Sequence, residues 1–175
     1  VRLLRFTIKR AAGMVFIKEE IEYIENYIAI EKMRYEERFQ IFYELSENVS
    51  DCQIPGFLLQ PLVENSLLHG LDMTKSDAKI WIRIKTEEKD GTGYLLLEEE
   101  DNGVGMTEEM CRKLLKNEPE IKKKGFSSIG ISIVNRRLEE IYGTGYHMDV
   151  VSRPDMGTKI SLWLPMDIVM EVSEL

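Results

Sequence analysis

Leu62-Val63-Glu64-Asn65-Ser66-Leu67-Leu68-His69-Gly70 is the stretch on which the reading of the fold turns. It belongs to a run, residues 57–69, that is apolar on one face, while Gln60, Glu64, Asn65 and His69 recur at spacings that return them to similar sides of a helix. Burying a polar group without a partner is costly. These positions therefore read as a deliberate feature of an otherwise buried helix.

Downstream, Lys79-Ile80-Trp81-Ile82-Arg83-Ile84-Lys85 alternates in the manner of a strand, and residues 94–100 form its partner across Asp90-Gly91-Thr92-Gly93. The loop Asp101-Asn102-Gly103-Val104-Gly105-Met106 follows, and Thr107 can cap a short helix whose Glu108 and Glu109 suit the positive end of its dipole. After a lysine-rich loop, residues 129–142 predict a helix stopped by Gly143, and residues 147–152 and 158–164 predict a second hairpin ended by Pro165. Helix, strands, short helix, helix, strands is the order of an α+β two-layer sandwich.

Upstream, Ile21, Ile24, Ile28, Met33, Tyr35, Phe39 and Phe42 predict one long amphipathic helix over residues 18–45, serving either to pack a core or to join a dimer or a second domain. A polar stretch, residues 46–53, then interrupts the pattern, and Ile54-Pro55-Gly56 restarts the chain with proline near a first helical turn. A division near residue 50 follows, with residues 1–50 as a helical region and 51–175 as the main domain.

Bulk properties narrow the function. The chain has 175 residues, 43% hydrophobic, enough for one good core. Its 23 Lys and Arg against 31 Asp and Glu give a net charge of −8, which argues against a nucleic-acid surface. Cys52 and Cys111 form no CxxC pair, so no zinc site or disulfide framework is expected. No run of about 18 apolar residues occurs, and the opening Val1-Arg2-Leu3-Leu4-Arg5-Phe6 has no signal-peptide character, which suggests a segment of a longer chain.

Three patches gain meaning together: Leu62 to Gly70, Asp101 to Met106, and Gly157-Thr158-Lys159-Ile160 ahead of a strand. Each alone has a plain alternative. Glu64-Asn65 could be a surface pair, His69-Gly70 a helix end, the Asp101 loop an ordinary turn and Thr158 a strand residue. Their order and spacing resemble the N box, the G1 box and the end of the G2 region of the GHKL ATPases, which share the Bergerat fold, a mixed, mainly antiparallel sheet covered by helices. The resemblance spans residues 54–165.

That resemblance implies ATP and Mg²⁺ as ligands. Asn65 is the implied metal ligand, since magnesium prefers oxygen donors and keeps several waters. Glu64 would polarise the nucleophile or a water, and His69 would reach a phosphate or brace the site. Asp101 would accept the exocyclic amino hydrogen of adenine while Gly103 and Gly105 let the backbone turn against the base. Met106 would offer a polarizable side chain to the ring, and Thr158 would complete the same network.

The segment Glu19-Glu20-Ile21-Glu22-Tyr23-Ile24-Glu25-Asn26-Tyr27-Ile28-Ala29-Ile30-Glu31-Lys32-Met33-Arg34-Tyr35, with Leu58-Leu59-Gln60-Pro61 ahead of Leu62, is similar to sensor histidine kinases of the LytS/YesM type. Membership would make the chain the catalytic domain of a two-component kinase, passing the γ-phosphoryl group to a histidine upstream and from there to a response regulator. The parent would be a dimeric, membrane-anchored sensor with this part in the cytoplasm. Neither His69 nor His147 lies in an acceptor motif, and His147 reads as a surface or sheet residue. Departures from the family occur in the lid. Gly130 falls on a family glycine, Ser128 occupies another glycine's place, and Ile133 stands where Asn is common, while Arg137-Leu138 and Tyr142-Gly143 match. Lys122, Lys123 and Lys124 are either cations near the phosphates or a solvated face. Two rivals remain open: an ATPase in which Glu64 activates water, and a non-catalytic dimerisation or docking module.

Overall fold

The computed structural model describes residues 13–36, 38–72, 77–116 and 129–166. A short strand β1 (Met14–Phe16) leads into helix α1 (Ile17–Arg34), whose Glu19 carboxylate reaches back to the Phe16 N–H at 2.8 Å and so satisfies one free donor of the first turn. Ile17, Ile21, Ile24 and Ile28 form its buried stripe, so this helix packs the core, while Ile30 and Met33 on the other side are exposed.

The helix expected through residue 45 ends at Arg34. Glu36 takes φ +52°, and Phe39–Leu45 becomes a strand, β2. Both periods are present in this sequence, Phe39 and Phe42 at helical spacing and Phe39, Ile41 and Tyr43 in alternation. Aromatic and β-branched side chains, with a full ladder of partners in the next strand, favour the extended form. Proline 55 likewise lies in a strand, β3 (Gln53–Pro55), which pairs antiparallel with β1. Helix α2 starts only at Leu59, with Pro61 in its first turn, where a missing N–H costs nothing.

Helix α2 (Leu59–Asn65) continues into a π turn, Ser66–Gly70. Then come β4 (Ala78–Lys89), β5 (Thr92–Asp101), α3 (Glu108–Leu115), α4 (Ile129–Tyr142), β6 (His147–Ser152) and β7 (Thr158–Pro165). The main sheet has the order β2-β4-β5-β7-β6, with only the β2–β4 pair parallel. Asp90 and Gly91, at φ +52° and +75°, form the two-residue turn of the β4–β5 hairpin, the left-handed pair that matches strand twist.

Alternation assigns Ile80, Ile82 and Ile84 of β4 and Ile160, Leu162 and Leu164 of β7 to the inner face, where Leu59, Leu62 and Val63 of α2 and Val134 and Leu138 of α4 join the same buried core. Thr107 accepts from the Met110 N–H at 3.4 Å at the start of α3. Gly143 ends α4 at φ +56°. The result is the expected α+β two-layer architecture, with strand β2 and the inward stripe of α1 built into it.

Candidate functional site

The polar helix is interrupted where its polar residues gather. Leu71 N–H donates to Ser66 O at 2.7 Å, five residues back, so the last turn of α2 widens. Such π turns re-aim side chains out of the regular helical register. Asn65 is 7% exposed, and its Oδ1 has no hydrogen-bond partner among the described residues. A buried carbonyl oxygen without a donor is unfavourable, and it is the atom type that a hard cation takes as ligand. The chemistry of this position therefore fits magnesium. Glu64, one residue earlier and half-buried, accepts from Gln60 Nε2 at 2.6 Å. His69 lies half-buried inside the π turn.

Across from this turn stands Asp101, the last residue of β5, only 3% exposed. Its Oδ1 accepts from the Gly103 N–H at 2.7 Å, and Ser66 Oγ lies 3.2 Å from its Oδ2. Burial pushes its carboxyl above the usual range, opposed by bonds from Gly103, Ser66 and the Thr158 backbone. Asn102 ties the loop to β4, accepting from the Lys79 N–H at 2.7 Å and donating to Asp77 O at 2.8 Å.

Backbone bonds join the three sequence patches. Val104 N–H donates to Gly70 O at 2.8 Å and Gly157 N–H to Gly103 O at 3.0 Å, so the loop after β5 is held between the end of α2 and the start of β7. A Cβ on Gly103 would collide with Gly70 O, and Gly105, at φ +64°, faces Arg153 O just as closely. Only glycine fits either place. In the sheet register Asp101 pairs with Thr158. Ser152 Oγ accepts from the Met106 N–H at 2.7 Å, donates to Gly157 O at 2.7 Å and lies 3.0 Å from Thr158 Oγ1. With its only hydrogen so used, Ser152 takes the Thr158 hydrogen. Thr158 and Met106 are thus buried nodes of one network beside Asp101.

A model of the histidine kinase-, DNA gyrase B- and HSP90-like ATPases matches residues 55–168, well over half of the chain. The chain belongs to this family. A second model, of histidine kinases, matches residues 1–39. Among curated relatives, sensor histidine kinase BtsS of Escherichia coli is 32% identical over 92% of this chain and 26% of its own length, and sensor histidine kinase YesM of Bacillus subtilis is 29% identical over 93% and 26%. The chain thus spans about a quarter of the length of these relatives. Among solved structures, the nucleotide-free catalytic domain of histidine kinase ThkA superposes with a TM-score of 0.64 at 16% identity, over 88% of this chain and 95% of that one, a likeness of fold.

Within this histidine kinase-type ATPase domain, the structure brings together most of the residues singled out by sequence. Asp101, Gly103, Gly105, Met106 and Thr158 form one corner, and the turn containing His69 touches it through Gly70, whose Cβ position lies 3.0 Å from Asp101 Oδ2. Glu64 and Asn65 occupy the preceding turn of α2. Gly130 has a different neighbour: its Cβ position is 2.7 Å from Pro61 O, so glycine there lets α4 approach α2. Ser128 and the lysines 122–124 lie outside the described residues. His147 is exposed at the start of β6, its ring centroid 5.0 Å from that of Trp163.

Three residues escaped the sequence reading: Ser66, Glu99 and Ser152. Ser66 and Glu99 are each 1% exposed, and Ser66 Oγ lies 2.6 Å from Glu99 Oε1. Alternation in β5 could have found Glu99, since residues 95, 97, 99 and 101 share a face. Ser152 carried no signal, because its role depends on the register of β6 against β7.

Proposed function

We propose that this ATP-binding domain catalyses transfer of the γ-phosphoryl group of ATP to a histidine upstream of these 175 residues, whose own histidines are His69 and His147 alone, in a phosphoacceptor region whose end reaches into the chain ahead of β1. Asp101 accepts the amino hydrogen of adenine, flanked by Gly103, Gly105, Met106 and Thr158. Asn65 holds Mg²⁺ through Oδ1, Glu64 and His69 act at the phosphate end, and Ser128 and Gly130 belong to the nucleotide-binding set. Bound magnesium neutralises phosphate charge, and the domain's own task is positioning. The observation that carries this reading is the meeting of the three patches around a buried carboxylate, a corner whose donors hold one acceptor oriented before any ligand arrives.

The parent is read as a dimeric sensor in the bacterial membrane, with this domain in the cytoplasm and a response regulator as the next phosphate acceptor. Its support is the similarity to BtsS and YesM. No helix among the described residues is long and apolar enough to cross a membrane.

Calorimetric titration with ATP, with and without Mg²⁺, tests the site. Asp101→Asn should weaken binding by about tenfold to a hundredfold, because an acceptor oxygen becomes a donor facing the amino group. Addition of the upstream acceptor segment should then yield phosphohistidine. Steady phosphate release abolished by Glu64→Ala would instead make the domain an ATPase, and no binding at millimolar ATP would leave a docking module.

A further inference from the structure

The alternation of β5 places Glu99 on the inner face with Leu97 and Asp101, where it is 1% exposed. Its register partners are Ile82 on β4 and Ile160 on β7, α2 presents Ser66 to it, and the charged groups that act on it are Asp101 and Glu100 of its own strand. A glutamate in such surroundings needs a reason, since burying an unpaired carboxylate costs far more than burying the neutral acid.

Counting hydrogens supplies one. Ser66 Oγ lies 2.6 Å from Glu99 Oε1 and 3.2 Å from Asp101 Oδ2. A hydroxyl has one hydrogen. If both carboxyls were ionised, one of these two approaches would set oxygen against oxygen with nothing between them. A proton on one carboxyl completes the chain: the acid O–H donates to Ser66 Oγ, and Ser66 donates to the other carboxylate. Asp101 has backbone donors of its own, Gly103 and Thr158, that favour its ionised form. Glu99 has only Ser66, and its Oε2 has no partner among the described residues. The proton therefore belongs on Glu99.

On the reading of Asp101 as the adenine acceptor, we propose that Glu99 is a further positioning residue of the nucleotide site, a neutral acid that turns the Ser66 hydrogen onto Asp101 and keeps Asp101 the ionised member of the pair. Burial, followed by the charge of Asp101, holds the Glu99 carboxyl well above the usual carboxylate range, in the same direction. When Glu99 loses its proton at higher pH, Ser66 turns to the nearer Glu99 oxygen. Asp101 then loses a donor and gains a like charge beside it, and its hold on the base weakens.

The test is ATP titration of the chain and of Glu99→Gln, whose amide N–H replaces the acid proton and stays in place at every pH. Taking the ratio of the two affinities cancels titration of the nucleotide. That ratio should move about tenfold in favour of Glu99→Gln as pH rises through the Glu99 transition. Infrared spectra should show a protonated carboxyl band at neutral pH that disappears at high pH and is absent from Glu99→Gln. A ratio independent of pH, or no such band in the unmodified chain, overturns the proposal. Asp101→Asn separates the two readings: if it binds ATP like the parent, the assignment of Asp101 falls, whereas a weakened Asp101→Asn with a flat ratio removes only the role of Glu99.

Discussion

The two ends of the site differ in how fully the protein satisfies the acceptor oxygens proposed to meet the ligand. At the Asp101 corner both carboxylate oxygens have donors nearby, and the loop that follows is tied to α2 on one side and to the start of β7 on the other. Along α2, Asn65 Oδ1 in the last turn and Gln60 Oε1 in the first are buried with no partner among the described residues. A reader of one fixed group, such as a base edge, gains from an acceptor oriented in advance. An end that takes a hard cation keeps an unmatched carbonyl oxygen for that cation to satisfy.

The sharpest way to break this contrast is at Gly103, where an added Cβ collides with the backbone oxygen of Gly70. Neither backbone can give without releasing the Val104 N–H to Gly70 O bond. Gly103→Ala should destabilise the domain by about 3 kcal/mol or more and remove ATP binding with it, as thermal melting and titration would report. A variant that melts like the parent would mean that the corner is pliable, and the idea of a preset base end would fail.

Asn65→Ala probes the other end. If Oδ1 awaits a cation, its loss should abolish the Mg²⁺ dependence of ATP affinity, an effect of about tenfold. Removing a buried oxygen without a donor should leave the melting temperature close to that of the parent. Loss of stability as large as that of Gly103→Ala would show Asn65 to be structural, and the two ends would no longer differ in kind.

What the sequence disclosed follows the same division. The hairpins, the cap at Thr107, the stop at Gly143 and the glycines around Asp101 rest on local rules of period, dihedral angle and turn chemistry, and all stand in the structure. Strand β2 did not disclose itself, because Phe39, Ile41, Phe42 and Tyr43 satisfy helical and extended periods together and only the ladder with β4 decides between them. The Ser66 and Glu99 contact crosses 33 positions, and the π turn that presents Ser66 has no sequence signature of its own. Gly130 shows the converse: a family glycine expected to line a lid also meets a packing demand from Pro61.

The smallest expected effect concerns Gln60, whose Nε2 donates to Glu64 at 2.6 Å while its Oε1 is buried without a donor. Gln60→Met conserves length and removes both features. Losing the hydrogen bond costs about 1 kcal/mol and losing the orphaned oxygen returns about as much, so the net change in stability should lie within about 1 kcal/mol of zero. Glu64 would lose the amide that fixes its rotamer, and a less constrained carboxylate positions a nucleophile less well. Phosphoryl transfer should therefore fall while ATP affinity holds, a separation visible in kcat against KM. A drop in ATP affinity of the size expected for Asp101→Asn would show instead that Gln60 and Glu64 form a preset part of the binding surface, as rigid as the base corner.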